Sequence, residues 1–182
     1  FAISDESALR DEVKRVQGLV DLAAEMGMGM LRHDIAYGHM KMPQTKSYEA
    51  AIPFMAKGIL EVTKYAEQKG VRTMTENHGF FSQDARRVEA LINAVDHPNF
   101  GALVDIGNFM CADEDPAVSV GIMAPYAFHV HCKDFFKKPG TQIDPGEGWF
   151  RTRGGNYLRG TVIGFGDANA AQSIGILKRA GY

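Results

Sequence analysis

Hydrophobic positions along this chain follow two alternating patterns, one with the period of an amphipathic helix and one typical of a buried strand. Leu9, Val13, Val16 and Val20 recur every three or four residues, which predicts a helix in the first segment. Short apolar runs bounded by glycine or polar turn residues predict strands. The predicted helices are 5–26, 47–69, 84–95, 116–123 and 168–180, and the predicted strands are 1–4, 30–37, 71–76, 100–105 and 127–133.

The alternation of strand and helix predicts an α/β fold built on a parallel sheet, because parallel strands need a crossover between them. Right-handed crossovers then lead to an open twisted sheet or to a closed barrel. A complete (β/α)8 TIM barrel takes about 250 residues. We therefore expect this chain of 182 residues to be a partial TIM barrel that lacks the first two strands and the last strand. Residues 1–182 would form one incomplete barrel domain, in which 134–167 is a long loop.

The composition is that of an ordinary globular protein, with 45% hydrophobic and 23% charged residues. A net charge of −2, with the 20 basic residues scattered along the sequence, does not favour nucleic acid as a partner. No apolar stretch approaches the roughly 18 residues of a membrane-spanning helix, so no membrane association is expected. Cys111 and Cys132 form no close-spaced motif, which fits a cytoplasmic location, and Cys132 is expected in the core. The sequence leaves the oligomeric state open.

Three of the predicted strands carry a side chain near their carboxyl end that can bind a metal ion. Glu76 and Asp105 each end a short apolar run, and His131 lies just before the long loop. The carboxyl ends of parallel strands converge, so these three side chains should meet at one edge and bind a divalent cation. His129, deeper on the same strand, is expected to pack rather than to bind. A single carboxylate after a strand is more often a turn former or a helix cap, so the argument depends on all three.

Each of the three residues lies in a short motif, namely TENHG at 75–79, VDIGN at 104–108 and HVHCKD at 129–134. Together these motifs resemble the sugar phosphate isomerase and epimerase family, which has a xylose isomerase-like TIM barrel. The resemblance implies one divalent metal ion, Mn²⁺, Co²⁺ or Mg²⁺ with Zn²⁺ as an alternative. Its ligands would be Glu76, Asp105, His131 and a glutamate expected beyond Tyr182. Without that fourth ligand, we expect the 182-residue chain alone to have little isomerase activity.

The resemblance also implies a reaction, the isomerisation or epimerisation of a sugar or sugar phosphate. The metal ion would stabilise an enediolate, and Glu76 would be one of two catalytic glutamates that move the proton next to the carbonyl. Three alternatives remain open. Loss of water from the same intermediate would make the protein an inosose-type dehydratase. The second alternative is an endonuclease IV-like DNA repair nuclease, a class that shares the barrel. The pattern of that class has a histidine at the position where this chain has Asn108. The third alternative is an inactive fragment.

Further polar residues are candidates for contacts with the substrate. His78 and Asn108 could each hydrogen-bond a sugar hydroxyl or fix their own loops. Lys133 could neutralise an enolate or form an ion pair with Asp134. In the long loop, aromatic faces suit the apolar side of a sugar, and arginines suit phosphate or carboxylate. Alternatively, the arginines could form ion pairs that attach the loop to the rim. The loop candidates are Trp149, Arg151, Arg153 and Arg159, and weaker candidates at an earlier strand end are Arg32, His33 and Asp34.

Overall fold

The computed structural model describes residue 1 and residues 5–36, 47–79 and 81–182. At its centre is a parallel sheet of four strands in the order β1-β2-β3-β4. The strands are β1 (Met30–Arg32), β2 (Arg72–Glu76), β3 (Phe100–Asp105) and β4 (Ala127–His131). Each strand follows its predecessor through a helical crossover, which confirms the predicted α/β class.

Helices connect the strands and pack against the sheet. They are α1 (Glu6–Glu25), α2 (Tyr48–Gln68), α3 (Ala85–Val95), α4 (Asn108–Cys111), α5 (Pro116–Met123) and α6 (Ala170–Arg179), with a 3-10 turn at Ala124–Tyr126. Four of the helices begin after a residue whose side-chain oxygen accepts a hydrogen bond from a first-turn N–H, which satisfies a backbone donor. These capping residues are Asp5, Ser47, Asp84 and Asp115. Within the described residues, no helix has the combination of length and hydrophobicity needed to cross a membrane.

The core lies between the sheet and the helices. Strand β3 is at its centre, since all six of its residues are buried. Val16 of α1 and Met55 and Ile59 of α2 are 0% exposed, as the helical period of the sequence predicts. Burial of side chains of this size contributes about 1.5–3 kcal/mol each.

The predicted strands at the two edges of the sheet are longer than the observed ones. The prediction 30–37 corresponds to Met30–Arg32, and 127–133 corresponds to Ala127–His131. The predicted strand 1–4 lies mostly outside the described residues. Phe1 itself is buried, and its amino nitrogen donates to the Ile35 carbonyl at 2.6 Å.

The predicted long loop 134–167 is wrong in part, because it contains a three-stranded antiparallel sheet. Strands β5 (Asp134–Lys138), β6 (Phe150–Arg151) and β7 (Tyr157–Thr161) pair in the order β5-β7-β6. The partners in β5 and β7 are far apart along the chain, so no short hairpin signal marks the pairing in the sequence.

Two details of the chain near His131 also differ from the predictions. Cys132 is exposed rather than buried, because it lies between the end of β4 and the start of β5, where the chain leaves the sheet. His129 is exposed as well, and its ring contacts the His131 ring edge-on with centroids 5.5 Å apart. Strand β4 is an edge of the described sheet, so no further described strand lies beside the two histidines.

Candidate metal centre

The ends of three adjacent strands bring Glu76, Asp105 and His131 together. In the register of the parallel sheet, Glu76 is the partner of Leu103 and Asp105 is the partner of His131. One donor atom from each of the three side chains lies within 4.8 Å of the others. His131 Nδ1 is 4.0 Å from Glu76 Oε1 and 3.9 Å from Asp105 Oδ2. The convergence expected from three strand ends is therefore present.

The donor set fits a divalent cation. Two atoms that bind one ion at ordinary ligand distances can be at most about 5 Å apart, and the three donors meet that limit. Two carboxylates and one imidazole suit Mg²⁺, Mn²⁺, Co²⁺ and Zn²⁺. The Asp105 side chain is 0% exposed and the Glu76 side chain 10% exposed, whereas His131 is 50% exposed, so the centre is open on the His131 side.

Asp105 is the most constrained of the three donors. Burial raises the pKa of its carboxyl above the ordinary value, and the Lys133 ammonium, 2.9 Å from Oδ2, offsets part of that effect. Its other oxygen, Oδ1, accepts a hydrogen bond from the Asn108 backbone N–H at 3.1 Å.

Asn77 fixes the backbone of Asp105 from the neighbouring strand. Its side-chain amide donates to the Asp105 carbonyl at 2.9 Å and accepts from the Asp105 N–H at 2.7 Å. Asn77 is 1% exposed, so water is largely excluded from this paired contact. Sequence reasoning did not assign a role to Asn77, although its place next to Glu76 in TENHG was a usable signal.

Asn108 links the donors through its side chain. Its Nδ2 donates to Glu76 Oε1 at 3.1 Å, and its Oδ1 accepts from Lys133 Nζ at 3.1 Å. Both ends of the amide are therefore engaged with the centre. This arrangement holds Glu76 and Lys133 in place around the metal position, and it leaves Asn108 4% exposed.

Arg32 and Asp34, which were weaker candidates in the sequence, lie at the same rim. The Arg32 guanidinium is 2.8 Å from Glu76 Oε2 and 2.7 Å from Asp34 Oδ1, so it bridges the two carboxylates. His78 is 44% exposed, with Nδ1 4.0 Å from Asp34 Oδ1. These three side chains form a second layer beside Glu76.

His33 does not share this rim. Its ring is buried between Phe1 and Phe100, with centroid distances of 5.3 and 6.0 Å. Burial lowers the pKa of His33 to about 4, so the ring is neutral near pH 7. It is part of the core.

The four loop candidates lie on the antiparallel sheet and its turns, and they separate into two groups. Arg153 NH1 is 2.9 Å from Asp84 Oδ2, so this arginine ties the loop to the start of α3. Arg151 and Arg159 are exposed and make no ion pair within the described ranges, and Trp149 packs over Lys138. Arg153 is therefore a structural contact, whereas Arg151 donates to the Gly155 carbonyl at 3.2 Å and to the Tyr157 hydroxyl, and Arg159 is exposed.

One carboxylate, Asp134, which the sequence suggested only as an ion-pair partner of Lys133, organises this region. Asp134 accepts hydrogen bonds at 2.9 Å from the N–H groups of Phe135, Gly164, Gly166 and Ala168. Burial alone would raise the pKa of Asp134, but these four bonds together lower it below the ordinary value. Asp134 thereby fixes the segment that leads into α6, and no ion pair to Lys133 is formed.

Comparisons with known proteins agree with the fold. The family model for the xylose isomerase-like TIM barrel matches residues 1–182. A search of curated proteins gives no match. Among solved structures, the IolI protein with a bound zinc atom superposes with a TM-score of 0.76 at 17% identity, over 99% of this chain and 60% of that chain. A xylose isomerase-like TIM barrel protein from Mycobacterium smegmatis in complex with magnesium gives 0.72 at 19% identity, over 98% and 60%.

A third similar structure is D-allulose 3-epimerase from Methylomonas sp., with a TM-score of 0.72 at 15% identity, over 100% of this chain and 56% of that chain. At these identities the likeness shows the fold alone. This chain spans less than two thirds of the length of each of the three proteins. The predicted partial TIM barrel is therefore confirmed. Since the family model matches from the first residue to the last, the chain belongs to the xylose isomerase-like TIM barrel family.

Proposed function

We propose that this chain is the metal-binding part of a divalent-metal-dependent isomerase or epimerase that acts on a sugar or sugar phosphate. The observation that carries the proposal is the approach of Glu76, Asp105 and His131 to within 4.8 Å at the carboxyl ends of three parallel strands. Ligands bind at that end of the strands in parallel α/β folds. Structures with the same fold include an epimerase and a probable dehydratase, which supports this class of chemistry.

Glu76, Asp105 and His131 would hold the ion. When bound, it would polarise the substrate carbonyl and make the neighbouring C–H more acidic. Glu76 would accept that proton, with Oε2 held by Arg32 and Oε1 by Asn108. Return of the proton by Glu76 to the other carbon of the pair would give isomerisation, and delivery of a proton by a second acid on the opposite face of the same carbon would give epimerisation.

Lys133 would balance the negative charge that develops on the substrate oxygen. Its ammonium lies 2.9 Å from Asp105 Oδ2 and 3.1 Å from Asn108 Oδ1, beside the metal position. A positive group at this place stabilises an enolate oxygen more than the carbonyl from which it forms. His78 is exposed beside the same rim and is proposed to contact a sugar hydroxyl.

A metal titration tests the proposal. Calorimetry with Mn²⁺ should show one ion per chain, and Glu76→Gln or His131→Ala should weaken binding by at least about tenfold, since each removes a ligand. His129→Phe is the matched control, because it removes an exposed imidazole on the same strand but keeps a ring edge-on to His131, and it should leave the affinity unchanged. Equal losses in both histidine variants, or no binding at all, would contradict the proposed centre. Three tightly bound Zn²⁺ ions per chain would indicate the nuclease instead.

A further inference from the structure

The antiparallel sheet β5-β7-β6 presents two chemically different faces. Residues directly opposite each other in an antiparallel pair share a face, and residues two apart on a strand do so as well. Tyr157 is opposite Lys138 on one side and Arg151 on the other. Arg159, two residues further along β7, is opposite Phe136. Lys138, Arg151 and Arg159 therefore lie on one face, which we call the cationic face.

Two of the three cations of this face, Lys138 and Arg151, lie against aromatic rings rather than against carboxylates. Lys138 Nζ lies 4.8 Å from the centroid of the Trp149 ring, and the Arg151 guanidinium carbon lies 4.3 Å from that of the Tyr157 ring. Arg151 also donates to the Tyr157 hydroxyl. Aromatic rings orient a cation without cancelling its charge. Within the part of the chain that the structure describes, none of the three makes an ion pair.

Asp134 is the carboxylate nearest to these cations along β5, and it does not neutralise them. It is 2% exposed and its oxygens accept four backbone hydrogen bonds, from Phe135, Gly164, Gly166 and Ala168. Its charge is thus taken up by the backbone at one end of the sheet. The three cations therefore keep no carboxylate partner within the described ranges.

The opposite face of the same sheet has a structural role. Leu158 is 0% exposed and Phe135 is 9% exposed, so this face packs against the body of the protein. The Phe135 ring lies against Gly107, in the segment between β3 and α4. Lys137 is the exposed cation of this opposite face. The cationic face is itself buried at Tyr157 and Asp134, both 2% exposed, and it is open to solvent at Phe136, Arg151 and Arg159.

The spacing of the three cations suits a single small anion. Neighbouring strands are about 4.8 Å apart and residues two apart on a strand about 6.8 Å, so the three attachment points lie within roughly 10 Å of one another. Side chains as long as lysine and arginine can converge over such a patch. Like charges so close repel each other, and a bound oxyanion removes that repulsion while accepting charge-assisted hydrogen bonds.

We propose that the cationic face binds the phosphate or carboxylate group of a sugar-sized ligand, with the exposed Phe136 ring against its apolar side. Under the proposed function, on which this last step rests, that ligand is the substrate, so the substrate is an acidic sugar derivative rather than a neutral sugar. The face follows the metal centre directly in the chain, since β4 ends at His131 and β5 begins at Asp134.

Calorimetry tests anion binding at the cationic face, with inorganic phosphate, fructose 6-phosphate, gluconate and fructose titrated into the protein. One phosphate and one fructose 6-phosphate should bind per chain, and fructose should not bind in the same concentration range. Gluconate separates the two sources of the anion, because binding of gluconate alone would assign the face to a carboxylate. Tighter binding of a thymidine oligonucleotide than of any sugar derivative would overturn the proposal in favour of single-stranded nucleic acid.

The control uses a cation on the other face of the same sheet. Arg159→Gln should weaken phosphate binding by at least about fivefold, because it removes a charge-assisted donor. Lys137→Gln removes the same charge from an exposed site and should change the affinity by less than about twofold. Equal losses in both variants would reduce the effect to net charge and overturn the proposal. Phosphate binding that persists in Glu76→Gln, where Mn²⁺ binding is weakened, separates failure of this face from failure of the metal centre.

Discussion

Replacing Asn77 by alanine should both destabilise the protein and weaken metal binding. The side chain of Asn77 makes two hydrogen bonds to the Asp105 backbone, at 2.9 and 2.7 Å, and it is 1% exposed. Alanine can make neither bond. The Asp105 N–H and carbonyl would then lose these partners at a place with little access for water, and the end of β3 would no longer be fixed to β2.

The size of the expected loss of stability follows from the Asp105 N–H and carbonyl, which would be left without these partners. A buried backbone donor or acceptor without a partner costs about 1–3 kcal/mol. With two groups affected and some relaxation, the free energy of unfolding should fall by about 2–4 kcal/mol. Partners that orient a metal ligand typically change metal affinity by about 10–100-fold, and we expect Mn²⁺ binding to weaken within that range.

Urea unfolding followed by circular dichroism measures the first effect, and calorimetry with Mn²⁺ measures the second. Asn99→Ala is a matched control at the opposite end of β3, where the Asn99 side chain donates to the Val71 carbonyl at 2.8 Å. It should lower the free energy of unfolding by about 1–2 kcal/mol and leave Mn²⁺ affinity unchanged. An Asn77→Ala protein within about 0.5 kcal/mol of the wild type, or a control that loses Mn²⁺ equally, would refute the reasoning.

Two further predictions concern stability. Burial lowers the pKa of His33 to about 4, whereas the pKa of histidine in the unfolded chain is about 6.5. The free energy of unfolding should therefore fall by up to about 1.4 kcal/mol per pH unit as the pH drops from about 6.5 to 4. Urea unfolding at pH 7 and pH 5 should show this slope, and His33→Phe should flatten it. A β carbon at Gly107 would lie 2.9 Å from the Lys133 carbonyl oxygen, whereas one at Gly121 in α5 meets nothing within 4 Å. Urea unfolding of Gly107→Ala should therefore show a loss of about 1–3 kcal/mol, and that of Gly121→Ala a gain of up to about 1 kcal/mol; equal effects would contradict the packing.

The framework of the fold was predictable because its signals are local. A buried strand and an amphipathic helix can each be recognised within a short stretch of sequence. A capping aspartate marks where a helix begins, and glycine marks where it ends. The helix predicted at 84–95 is observed as Ala85–Val95 after the cap Asp84, and the strand predicted at 100–105 is observed as Phe100–Asp105. Parallel topology then places Glu76, Asp105 and His131 at one rim without any knowledge of the coordinates.

What the sequence could not show depends on contacts between distant segments. Lys138 pairs with Tyr157 across the antiparallel sheet, and nothing near either residue indicates the partner. The same holds for the arginines of the loop. Arg153 pairs with Asp84, which lies 69 residues earlier, while Arg151 and Arg159 do not pair with a carboxylate in the described chain. Residue type alone cannot separate a structural arginine from one available to a ligand.

Charge compensation connects the metal centre with the cationic face. At the centre, each carboxylate already has a cationic neighbour, Arg32 beside Glu76 and Lys133 beside Asp105. A divalent ion that binds there would compete with these contacts, and the charge of Lys133 would become available to a substrate oxygen. On the sheet that follows, Lys138, Arg151 and Arg159 have no carboxylate partner among the residues that the structure describes. An acidic substrate would therefore find positive charge at the sheet and, once the ion is in place, a further positive group at the centre.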